Sequence, residues 1–231
     1  MVISMKTTFL IVLCLIPTLI NASPSNCDST LFNKLIDFSN ETEITESDFL
    51  SCKDIVDLLD KHDCDYFIKN EKLVTSLTFL FGKICYKVNS DTSIRAFLDY
   101  HIKHINSAEE QISFSFENLF TLRPKLILDE ILKTDTVMQK DLLASLAWGF
   151  LNNRANGTKD PFADNPFKAM TVYNNPPDAI LNKNNFKEIF YLTHPKTKNL
   201  YSEYPGQYDY IFNKIVEYFD WRNKMIQEKK K

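Results

Sequence analysis

The chain has 231 residues, a formal net charge of −3 and 44% hydrophobic residues. That apolar content supports a packed core and argues against intrinsic disorder, while the slightly acidic balance argues against nucleic acid as the main partner. With only four glycines and no G-x-G-x-x-G, P-loop or G-x-S-x-G pattern, the common phosphate cradles and nucleophile elbows are excluded as well.

The chain opens with Met1–Lys6, a short and mildly basic start, and continues into an apolar run from Thr8 to Ile20. Asn21, Ala22 and Ser23 then precede Pro24. This order is that of a secretory leader with cleavage near Ala22. The run falls short of the roughly 20 apolar residues a membrane span needs. We therefore expect a signal peptide over 1–22, a secreted or periplasmic product, and no integral membrane segment after cleavage. Removal of Lys6 leaves the remainder, 23–231, one unit more negative.

Cys14 leaves with the leader; Cys27, Cys52, Cys64 and Cys85 remain. An even number in an exported chain reads as two disulfides. Cys64–Cys85 is disfavoured, because a helix over the intervening residues separates them by up to ~30 Å and a disulfide needs Cα atoms within roughly 7 Å. Cys52–Cys64 spans most of one helix. The expected pairs are Cys52–Cys85 across a helical hairpin and Cys27–Cys64 at the N-terminal segment.

Almost every following segment reads as helix. Thr45-x-x-Asp48 resembles a capping box ahead of Phe49, Leu50, Ile55, Val56, Leu58 and Leu59. Leu73, Val74, Leu77, Phe81, Ile84 and Cys85 form an apolar stripe over 71–87. Ser90 or Asp91 caps a helix over 91–106, and Ser107 with Glu110 forms an S-x-x-E box for a helix over 109–122. Pro124 suits the first position of a helix over 124–133. Thr134 or Asp135 starts a long helix faced by Met138, Leu142, Leu143, Leu146, Ala147, Phe150 and Leu151. From 154 to 206 the texture turns loop-rich, with Asn-Gly, Asp-Pro, Asn-Pro and Pro-Pro pairs and a short helix at Phe186–Leu192. One long helix over 207–228 ends the chain, its stripe running through Tyr208, Ile211, Ile215, Tyr218, Arg222 and Met225.

No segment alternates convincingly with period two, so the fold class is all-α. The successive pairs 71–87 with 91–106 and 109–122 with 124–133, at a spacing near 40 residues, resemble a HEAT or armadillo α-solenoid in architecture. The resemblance covers about a third of the chain and carries no repeat motif. An irregular helical bundle is the other architecture this pattern allows. We expect one helical domain over 23–231, with regular pairs to residue 153.

Three sets of residues are candidates for function. His101 and His104 lie three apart on one helix, with Glu110 beyond them, a weak metal-site pattern without the glutamate of H-E-x-x-H. Tyr201, Tyr204 and Tyr208 surround His194, and tyrosines of this kind supply rigid, amphipathic contact area. Phe162 and Phe167 could extend that patch. The expectation is an exported, non-enzymatic helical protein that binds another protein, in its most concrete form a periplasmic inhibitor or immunity-type protein, with no cofactor. A metal-dependent enzyme built on helix-borne His and Glu, and a helical carrier of an apolar ligand, are the alternatives.

Overall fold

The computed structural model describes residues 29–61, 71–105, 109–154 and 182–228. Residues 1–22, where the leader is expected, lie outside them with Cys27, Cys64, Phe162 and Phe167, as does the Glu110 side chain. Nine α-helices occupy the described residues, with no strand among them. They are α1 (Ser29–Asn40), α2 (Glu46–Lys61), α3 (Glu71–Val88), α4 (Asp91–His104), α5 (Glu109–Leu122), α6 (Pro124–Ile131), α7 (Thr136–Arg154), α8 (Phe186–Thr193) and α9 (Pro205–Glu228). No helix among the described residues is long and apolar enough to cross a membrane.

Local chemistry explains four of the helix starts. Thr45 and Asp48 satisfy each other's backbone N–H groups at 3.2 and 3.0 Å. Ser90 does the same with Ser93, and Asp135 accepts from the N–H groups of Val137 and Met138 at 2.9 and 3.0 Å. Pro124 stands at the start of α6, where no intrahelical donor is needed. Between α3 and α4 the chain reverses through Asn89 at φ 48°, a left-handed conformation asparagine tolerates better than most residues. Arg123 holds that turn by donating to the Asn89 carbonyl oxygen at 2.7 Å and to its side-chain oxygen at 3.1 Å.

The odd-numbered helices pack in chain order, α1 on α3, α3 on α5, α5 on α7 and α7 on α9. Three of the even-numbered ones form a second row: α4 packs on α6, and α2 meets α4 through Asp60, which lies 2.7 Å from His104 Nε2 and 3.6 Å from Lys103 Nζ. The packing is all-helical, as the spacing predicts. The middle of α5 lies inside it, with Ile112 to Phe120 all buried. Its two serines let neighbours come close: a Cβ at Gly82 of α3 would lie 2.6 Å from Ser115 Cβ, and one at Gly149 of α7 would lie 2.1 Å from the Ser113 carbonyl oxygen. Both glycines thus mark helix crossings, a use of glycine the sequence reading did not consider.

The expected Cys52–Cys85 bond is not formed. Both are free thiols, fully buried on the core-facing stripes of α2 and α3. Burial pushes the Cys52 thiol up to about 12 and the Cys85 thiol well up too. The thiolate that disulfide exchange requires is therefore scarce at both, and each packs as a small apolar residue.

Candidate functional site

The tyrosine-rich segment after α8 turns inward. Tyr208 is fully buried, with its ring centroid 6.2 Å from Phe190 and 6.1 Å from Phe212. Tyr204 is buried as well; its hydroxyl donates to Asp129 and accepts from Lys125 at 2.8 Å. His194 is sealed in: its ring stacks on Phe190 at 4.4 Å, its Nδ1 lies 3.0 Å from the Phe190 carbonyl oxygen, and its Nε2 lies 2.8 Å from Oε1 of buried Glu117 of α5. Lys196 ties the same segment to the Leu122 carbonyl oxygen at 3.0 Å. Of the four residues expected to meet a partner here, only Tyr201 is exposed, and its hydroxyl donates to Asp209 at 2.8 Å. Tyr204, Tyr208 and His194 are therefore core residues that dock this segment on α5 and α6. The sequence pattern could not separate an interface cluster from an aromatic core contact.

The two histidines of α4 do not converge either. His104 Nε2 points at Asp60 of α2, whereas His101 Nε2 lies 3.2 Å from the Ser145 hydroxyl of α7. Among the described residues no three His, Cys, Asp or Glu side chains gather on one point.

A concave feature of the described surface lies elsewhere, between α7 and α9. It is a cleft of about 520 Å³, within the size range of ligand sites. Each helix contributes residues at i, i+3, i+4 and i+7, which share one helical face: Asp141, Ala144, Ser145 and Trp148 from α7, and Lys214, Glu217, Tyr218 and Trp221 from α9. Ile105 and Ser113 complete the lining together with Ala147 and Leu151. Trp148 and Tyr218 meet edge to face at 5.2 Å, and Tyr218 lies 5.9 Å from Trp221. Both tryptophans of the chain stand in this one place.

A hydroxyl chain lies at the inner end, with Ser113 and Ser145 2.8 Å apart and His101 behind them. A serine beside a histidine invites a hydrolytic reading, but the energetics oppose it. His101 is fully buried against Phe97 and Phe116, and desolvation lowers its pKa to about 3. General-base catalysis works best with a pKa near the operating pH, so a base this weak activates Ser145 poorly at neutrality. Its other nitrogen, Nδ1, is buried without a hydrogen-bond partner among the described residues, so no carboxylate among them orients the ring. The arrangement can bind; it is badly made for acyl transfer.

The sequence reading placed Tyr218 on the apolar stripe of the last helix and passed over Trp148 and Trp221. The available signal was two tryptophans lying off the apolar stripes read for their helices. No family model matches this chain, and no curated protein or solved structure resembles it.

Proposed function

We propose that this chain is an exported, non-enzymatic binding protein whose partner is another protein, seated on the cleft between α7 and α9. The observation that carries the reading is the exposed apolar ridge that continues from the cleft. Trp221 is 54% exposed and Met225, one turn further on, is 38% exposed. Single exposed apolar residues are ordinary, but these two continue the aromatic wall of Trp148 and Tyr218 out onto the surface. A small ligand held within the cleft would leave the ridge in water. A partner surface would cover it, and tryptophan is the residue most enriched among interface hot spots. A stoichiometric inhibitor or immunity-type protein is the most concrete form of this proposal.

The test uses the full mature chain as bait against secreted fractions and native extract. The native protein is compared with a Trp221→Ala/Met225→Ala variant of matched helix content. One partner at near-equal stoichiometry is expected with the native bait. The variant should bind it about 30-fold more weakly, as for truncation of a hot spot worth about 2 kcal/mol. Equal capture by both baits would remove the cleft from the interface.

A further inference from the structure

The charges around the cleft are unevenly satisfied. Lys214 is held by Glu217 at 2.7 Å and leans over the Tyr210 ring at 5.6 Å. Asp141, on the opposite helix and exposed, has no ion pair among the described residues. Among the described lining residues Asp141 is thus the carboxylate without an ion pair, and it shares the cleft with three aromatic rings and, at the inner end, with the Ser113 and Ser145 hydroxyl oxygens. Aromatic faces carry partial negative charge and attract cations, most strongly at tryptophan. A planar cation with several N–H donors would satisfy all three features: rings for stacking, a carboxylate for charge and hydroxyls for remaining donors.

We infer that the cleft receives an arginine side chain of the partner protein, its guanidinium stacked on the Trp148–Tyr218–Trp221 wall and paired with Asp141. The inference rests on the proposed protein-binding role and adds the chemistry of recognition. Arginine fits better than lysine because its flat, weakly hydrated head stacks on aromatic rings and bridges a carboxylate through two donors. Arginine is also enriched at protein interfaces where lysine is depleted.

Because both tryptophans line the cleft, intrinsic tryptophan emission reports on it directly. The full chain is titrated with four probes: acetyl-Ala-Arg-Ala-amide, the same peptide with lysine, the same peptide with citrulline (neutral and nearly isosteric with arginine), and tetramethylammonium. The arginine peptide should give a saturable change, with the citrulline peptide at least about tenfold weaker. Asp141→Asn, an exposed change that leaves the fold intact, should abolish most of that difference. Added salt should weaken the arginine peptide and leave the citrulline peptide unmoved. Equal binding of arginine and citrulline peptides would overturn the inference and leave an apolar protein-binding cleft standing. Tighter binding of tetramethylammonium or of the lysine peptide would overturn it in favour of an ammonium site. A flat response to all four probes would also overturn it; the wider binding proposal is then judged separately, by the Trp221→Ala/Met225→Ala capture.

Discussion

A histidine sealed among Phe97, Phe116 and Ser145 must stay neutral to fold, and that has a cost as pH falls. His101 has a folded pKa of about 3, against about 6.5 in an unfolded chain. Between those values the unfolded chain takes up a proton that the folded one refuses. The stabilisation is therefore complete above about pH 6.5 and is lost as pH falls toward 3, at up to about 1.4 kcal/mol per pH unit. Urea unfolding at pH 7.5 and pH 5.0 should show the native protein losing roughly 2 kcal/mol more than His101→Gln over that interval. Parallel losses would mean that His101 titrates freely in the folded chain. Residue-scale reading of the sequence reached part of this: His101 falls on the apolar stripe of its helix, which marks it as inward-facing. Phe97, one turn back on the same helix, was legible too, but Phe116 and Ser145 were not, because they come from α5 and α7. The same gap explains the tyrosines. Tyr208 lies on the stripe of α9 and is buried as that stripe implies, whereas Tyr204 is buried where its hydroxyl donates to Asp129 and accepts from Lys125, 75 and 79 positions away.

At the scale of elements, helix ends were legible wherever their cause is local. The Thr45–Asp48 box, the Ser90 cap and Pro124 each act within four residues, and each starts a helix where the sequence places one. Helix crossings were not legible, since they depend on two faces meeting. Gly149 is the sharpest case. Its missing side chain lets α7 approach α5 until the Ser113 carbonyl oxygen fills the place of a Cβ, with Glu117 Cβ only 2.6 Å away. Gly206, in the first turn of α9, has open space around the same position. One substitution should therefore act in opposite directions at the two sites. Gly149→Ala should destabilise by about 3 kcal/mol, since the clash is with backbone and the helices must part. Gly206→Ala should be neutral or stabilising by up to about 1 kcal/mol, through helix propensity and a less flexible unfolded chain. Thermal unfolding of both variants checks the pair. A mild effect at Gly149 would show that α5 and α7 stand further apart than the crossing described above. The cleft was illegible for a related reason: Trp148 and Tyr218 are 70 positions apart, and a space between two helices has no period in either one.

Over the whole molecule, two rows of helices in which each packs mainly on its neighbours could unfold piecemeal, as stacked repeats do when the coupling between units is weak. The helix α5 opposes that. It is buried from Ile112 to Phe120, it packs against both α3 and α7, and Glu117 on it meets His194 from the segment leading to α9. One continuous hydrophobic cluster accordingly runs from Phe32 in α1 to Phe219 in α9. The chain carries natural probes at both ends of this cluster. Cys52 and Cys85 are buried thiols in α2 and α3, and Trp148 and Trp221 stand in α7 and α9. In the native state both cysteines should resist a thiol reagent, because burial excludes the reagent and suppresses the thiolate. In a urea series, pulse labelling of Cys52 and Cys85, read by peptide mass spectrometry, should follow the same curve as tryptophan emission, since one core makes one cooperative transition. Labelling at lower urea than the emission change would mean that α1 to α3 open as a unit of their own. In that case α5, though buried, would be too weakly bound to α3 to couple the two ends, and the Gly82–Ser115 contact would be the place to strengthen.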